Sequence, residues 1–110
     1  MVVGLASPET DRVLHALADS TRRDIVRCVL HEAHSVSALA RRYPMSFAAV
    51  QKHVALLEEV GLVTKQRRGR EQRVRGAIDG VREARSALDE LEQVWRDRVT
   101  QMDEILAEDP

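Results

Sequence analysis

Aromatic side chains are nearly absent: one Phe, one Tyr and one Trp make up 3% of the 110 residues. A surface that stacks successive bases of a single strand needs more of them, so that class of partner is excluded. Cysteine is rarer still, and with Cys28 alone there is no intramolecular disulfide framework. No stretch approaches the roughly 20 apolar residues that cross a bilayer. The opening MVVGLASPETD lacks the basic start and apolar length of a signal peptide, so the expected location is the cytoplasm. No Ser/His/Asp set, paired carboxylates, HExxH or glycine-rich phosphate loop occurs, which leaves catalysis without an anchor, and no enzyme is expected. Net charge, too, is almost missing, at -1.

What is present is a globular composition, 44% hydrophobic and 32% charged, in a length that suits one domain, 1-110. A domain of this size buries only about two thirds of the surface its unfolded chain exposes, which favours association with a second copy. The near-zero net charge conceals a strong asymmetry. Residues 1 to 80 hold 13 Lys and Arg against 9 Asp and Glu, whereas residues 81 to 110 hold 4 against 9. The basic excess is narrower still, because Lys65, Arg67, Arg68, Arg70, Arg73 and Arg75 sit in 11 residues opposed only by Glu71.

The chain reads as a series of helices followed by a hairpin and a long helix. Ser7-Pro8-Glu9 is a capped helix start with proline at the first helical position, and Val13, Leu14 and Leu17 share a face. This first helix is expected from Pro8 to about Ala18. Asp19 caps a second, with Ile25, Val26, Val29 and Leu30 as its buried stripe and Arg22, Arg23 and Arg27 solvated. A third is expected over Ser37 to Tyr43, capped by Ser35 or Ser37, with Leu39 and Ala40 inward, and stopped by Pro44.

Ser46 caps a fourth helix with two different faces. At 100° per residue, Val50, Val54, Leu57 and Val60 fall on one side, and Phe47, Ala48, Gln51, Lys52, Ala55, Glu58 and Glu59 on the other. The first side packs. The second, near its N-terminus, offers small residues for close approach, Gln51 for bidentate pairing with adenine, and Lys52 for guanine or a phosphate. Gly61 ends this helix, and Leu62-Val63 opens a strand that returns after Arg68-Gly69-Arg70 as Gln72 to Arg75. A tip of Arg-Gly-Arg has nothing to pack and suits the sugar-phosphate backbone or the minor groove, with affinity gained through counterion release. From Val81 onward, Ala84, Leu88, Leu91, Trp95, Val99, Met102 and Leu106 recur at spacings of three and four. The stripe is more than a chain this short can cover, which predicts a dimerisation helix over 81-107 packed with the first helix of both chains.

The strings ALADSTRRDIV, SVSALA and SFAAVQKHVALLEEVGLV, the basic hairpin and the long last helix resemble the ArsR (arsenic-repressor) family of bacterial transcription factors over roughly residues 10 to 106. The resemblance implies a mainly α winged helix-turn-helix fold with a small β-hairpin wing, dimerising through its N- and C-terminal helices. It also implies a homodimeric repressor of its own or neighbouring operons on pseudo-palindromic double-stranded DNA. Helix-turn-helix and wing are expected over 37-60 and 62-76. Metal-sensing members carry Cys-x-Cys where this chain has Val36-Ser37-Ala38, and others use Asp and His on the last helix, which here has no histidine. The branch without metal ligands, whose last helix carries a Trp as in WRDRVTQMDEIL, is therefore the nearer likeness, and no cofactor or metal is expected.

The expected DNA contacts are Ser46, Phe47, Ala48, Gln51, Lys52, His53, Lys65, Arg67, Arg68, Arg70 and Arg73. His53 turns toward the packed side, where a hydrogen-bonded histidine is the plainer reading, and the resemblance puts it near a phosphate. The expected dimer contacts are Val13, Leu14, Leu17, Leu88, Leu91, Trp95, Val99, Met102 and Leu106. Two alternatives stand beside this reading. Cys28, His31 and His34 are spaced three apart and would make a metal- or redox-responsive regulator if a fourth ligand joined them. A winged helix serving protein-protein contact alone is the other, and the arginine-rich hairpin speaks against it. The operator, the regulated genes and any inducer are not written in the sequence.

Overall fold

The structure, a computed structural model, describes residues 7–108. The N-terminal stretch weighed as a signal sequence lies largely outside that range. Five helices and three strands follow in the order α1 Pro8–Leu17, α2 Ser20–His31, β1 His34–Ser35, α3 Val36–Ala40, α4 Phe47–Glu59, β2 Val63–Arg68, β3 Glu71–Gly76 and α5 Ile78–Glu108. Each of the first four helices opens on a side-chain cap. Ser7, Asp19, Ser35 and Ser46 accept from the backbone N–H of Thr10, Arg22, Ala38 and Ala49, removing one otherwise orphaned donor apiece.

Ile25, Val26 and Val29 of α2, Leu39 of α3, Val50, Val54 and Leu57 of α4, and Leu62, Val63 and Val74 of the hairpin form one buried cluster with Val13 and Ala16 of α1 and Ala84 of α5. The strands form a single antiparallel sheet in the order β1-β3-β2. Gly69, at φ +60°, takes the first position of a two-residue loop between Arg68 and Glu71, as a type II′ hairpin requires. Gly61 ends α4 at φ +78°, its carbonyl accepts from Gly80 N–H at 2.9 Å, and a Cβ on Gly80 would lie 2.8 Å from that oxygen. The start of α5 therefore rests directly on the end of α4 because Gly80 has no side chain.

Four details differ from the sequence reading. The third helix is Val36–Ala40, not Ser37 to Tyr43; Tyr43 leaves the helix and bonds to Asp24 of α2. Two residues before it, His34 and Ser35, pair with Val74 and Arg73 as an unexpected third strand. Leu30 is 46% exposed and is not part of the α2 stripe. It lies over the backbone of Gly76, where a Cβ would fall 2.5 Å from Leu30 Cδ2. The last helix starts at Ile78 rather than Val81 and runs for 31 residues, about 46 Å at 1.5 Å per residue. Gly80 reads as a break in the sequence and serves as a contact point in the fold.

Candidate nucleic-acid interface

Helix α4 presents the two faces its sequence predicts. Val50, Val54 and Leu57 are buried, whereas Ser46, Phe47, Ala48, Gln51 and Lys52 are exposed. Phe47 keeps 46% of its surface, costly for an aromatic unless something covers it. Because Ser46 binds Ala49 N–H at 3.1 Å, the reading residues occupy the first turns, where the positive end of the helix dipole also favours an anionic ligand.

The hairpin closes one side of this helix. A cleft runs between them, lined by Ser37, Phe47, Gln51, Arg70, Glu71 and Gln72, and it deepens toward Lys65 beside Gln51, Val54 and Gln72. Ser37 and Gln72 were not among the expected contacts. Gln72 could have been found from register, because a two-residue loop at Gly69-Arg70 places it opposite Arg67 on the same side of the ribbon. Lys65 Nζ lies 3.5 Å from Glu58 Oε1, so the far end of α4 anchors the wing. Arg67 Nε donates to the Gly69 carbonyl at 3.3 Å and braces the tip.

Register also divides the wing's cations. The pairs Lys65↔Val74 and Arg67↔Gln72 alternate with Thr64↔Arg75, Gln66↔Arg73 and Arg68↔Glu71. Val63 and Val74 are core residues, so the set containing Lys65 and Arg67 faces α4, and Arg68, Arg73 and Arg75 face away. In the sequence these cations read as one clamp, and the pleat makes them two groups. Arg70 sits at the tip, at the mouth of the cleft.

Behind the cleft, charged groups from α2 fix the reading helix and the turn before it. Arg22 is only half exposed rather than solvated. Its Nε donates to the Ala16 carbonyl at 2.8 Å, its Nη2 to the His15 carbonyl at 3.2 Å, and its Nη1 lies 3.4 Å from Nδ1 of His53. An arginine can only donate, so this contact places the His53 proton on Nε2. Of the expected contacts on α4, His53 is thus the half-buried one, held from behind. The backbone N–H of Arg22 and its guanidinium hold the Asp19 carboxyl below its usual range. Tyr43 Oη donates to Asp24 Oδ2 at 2.7 Å, and Arg27 Nη2 donates to Oδ1 at 2.7 Å. Those two hydrogen bonds, Arg27 first, lower the Asp24 pKa, while burial and then the bond to Asp24 push Tyr43 up to about 12.

Cys28, His31 and His34 line one depression with Arg27, Glu32 and Arg42. Among the described residues no three His, Cys, Asp or Glu side chains gather as a metal would require, and two arginines in the same depression oppose a cation. No helix among those residues is long and apolar enough to cross a membrane.

The apolar stripe of α5 runs out beyond the rest of the molecule, which measures 73 × 29 × 22 Å. Leu88, Leu91, Trp95, Met102 and Leu106 are exposed, Trp95 to 63%, and Val94 and Ile105 widen the stripe. Val99 is half-buried, as is Leu17, while Leu14 lies open on α1. Val13 departs from expectation: at 3% exposure it belongs to the core of its own chain and has no surface left for a partner. Thr10 Oγ1 donates to Glu83 Oε1 at 2.6 Å and fastens α1 to α5, so the two helices expected to dimerise form one unit.

Comparison with known proteins agrees with this geometry. A family model described as a helix-turn-helix domain matches residues 17–66. A helix-turn-helix-type transcriptional regulator of Mycobacterium tuberculosis is 45% identical over 53 residues, 48% of this chain and 50% of that protein, so the match spans about half of that curated relative. The structure of an ArsR-like transcriptional regulator from a Rhodococcus species superposes with a TM-score of 0.75 at 32% identity, covering 89% of this chain and 92% of that one. The homodimeric winged helix-turn-helix DNA-binding domain of a possible ArsR-family regulator from Mycobacterium bovis gives 0.62 at 30% identity, covering 82% and 80%.

Proposed function

Because the chain belongs to the ArsR family of winged helix-turn-helix transcriptional regulators, and is thus a DNA-binding regulator, we propose that it is a homodimeric, metal-independent repressor that reads a pseudo-palindromic operator and controls its own transcription. The observation that carries the reading is the cleft between α4 and the wing. An exposed, nearly uncharged face of Phe47, Ala48, Gln51 and Lys52 stands beside Lys65, Arg67 and Arg70. In this reading α4 enters the major groove by its N-terminus. Gln51 pairs with a base edge, and Ser46, Lys52, His53, Ser37, Gln72 and the near-side wing cations hold the backbone.

Dimerisation through α5 and α1 sets the distance between two such clefts. Its support is the exposed stripe from Leu88 to Leu106, acidic around its apolar line, together with the homodimeric state of the Mycobacterium bovis relative. Covering Trp95 and its neighbours removes apolar surface worth about 25 cal/mol per Å² from water. The acidic charge of residues 81 to 110 repels DNA and keeps the dimer helices away from it.

The reading is tested by selecting bound duplexes from a random-sequence pool in the presence of a strong chelator and a thiol reductant. Enrichment of one inverted-repeat sequence, bound by two chains, is expected. Enrichment that appears only after zinc is added would transfer the function to the Cys28 depression, and enrichment of no duplex would reject DNA reading altogether.

A further inference from the structure

The wing has a second cationic face that a duplex seated on α4 does not reach. Arg68, Arg73 and Arg75, with Thr64, Gln66 and the backbone turn at Ala33, line a concavity of about 230 Å³ on the side of the sheet opposite Val63, Lys65 and Val74. None of the three arginines takes part in an ion pair among the described residues. Arg73 and Arg75 are two positions apart on one strand, about 7 Å, so that two separate anionic groups can be held at once.

The lining identifies the kind of ligand. It contains no large apolar side chain and no carboxylate, so a protein partner would find neither an anchor for a dry interface core nor a balanced set of charges. Successive phosphates satisfy it, since guanidinium groups bind them bidentately and release counterions in doing so. The nearest source of phosphates is the duplex continuous with the operator, whose tethering gives it a high effective concentration at the wing.

We propose that this outer face, through Arg68, Arg73 and Arg75, binds the backbone of the DNA flanking each half-site, so that the bound dimer curves the duplex around its wings. The proposal rests on the reading of α4 as the operator-binding helix. It adds that the wing contacts two stretches of one duplex, one on each face.

The test compares a minimal selected operator with the same operator extended by about 12 bp, roughly one helical turn, on each side. The extended duplex should bind more tightly, with a slope of log affinity against log salt steeper by about 0.9 for each added phosphate contact. Arg75→Glu should abolish that gain and leave both the minimal-operator affinity and the thermal unfolding midpoint unchanged, while Arg75→Lys should restore most of it. Three outcomes would overturn the proposal: no gain for the native protein, equal weakening on minimal and extended duplexes with Arg75→Glu, or a gain reproduced by unlinked duplex, which would mean bridging to a second DNA molecule. Failure to bind the minimal operator at all would instead reject the proposed function.

Discussion

Tyr43 and Asp24 meet at 2.7 Å, the phenol donating to the carboxylate, and this contact pins the turn that aims α4 to the helix behind it. Asp24 also receives Arg27 at 2.7 Å and lies 3.8 Å from Arg42. The turn from Arg41 to Ser46 contains no helix of its own, and its angle is set by this carboxylate.

Tyr43→Phe is expected to lower stability by about 1 to 2 kcal/mol, the range for a part-exposed hydrogen bond to a charged group, as measured by urea denaturation. Operator affinity should fall further than the stability loss alone implies, because the turn positions α4. Equal affinity in folded Tyr43→Phe would remove Asp24 from the positioning of the reading helix.

The same carboxylates give the fold an acid limit. Asp19 and Asp24 are both held below the ordinary Asp value in the folded state. Their contribution is therefore fully present above the unfolded pKa of about 3.9 and is lost as pH falls through the lower folded values. Stability should be flat from neutrality to about pH 5 as far as these two groups are concerned, and drop below pH 4. Asp24→Asn should make that drop shallower; an unchanged acid limb would mean the ion pairs contribute nothing.

Gln51→Ala should cost about 1 to 3 kcal/mol of discrimination at one base pair per half-site, with little change on random duplex, since the side chain it removes pairs bidentately with a base edge. Competition between operator and single-base variants measures it. A uniform loss on all sequences would show that Gln51 only touches backbone.

Arg70→Ala should act in the opposite way, weakening every duplex alike and flattening the salt dependence by about 0.9 for each phosphate that Arg70 neutralises in a subunit. Titration across a salt series decides this. An unchanged slope would place the wing tip off the DNA.

How far the site could be read in advance depended on how local its determinants are. Helix α4 was legible because Ser46 caps it, Val50, Val54 and Leu57 repeat at helical spacing and Gly61 ends it, all within one segment. The strand at His34–Ser35 was not, since two polar residues carry no periodicity and become a strand only by pairing with β3. The start of α5 was hidden because Gly80 signals a break locally, yet in the fold it lets two helices touch. The division of the wing arginines lay in the register of the hairpin, and Arg22 was misread because its partners on α1 and α4 are distant in sequence. The apolar stripe of α5 could be read from spacing, whereas the withdrawal of Val13 into the core depended on how α1 packs.

Hydroxyl-radical footprinting of a duplex selected by the protein, combined with the sedimentation mass of the complex, tests the central claim that two α4 helices read one symmetric operator. Two inverted protected segments centred about 34 to 36 Å apart, or a multiple of that spacing, bound by two chains and unchanged by a chelator, are the predicted result. One protected segment bound by a single chain, with Leu88 to Leu106 still exposed, would contradict it.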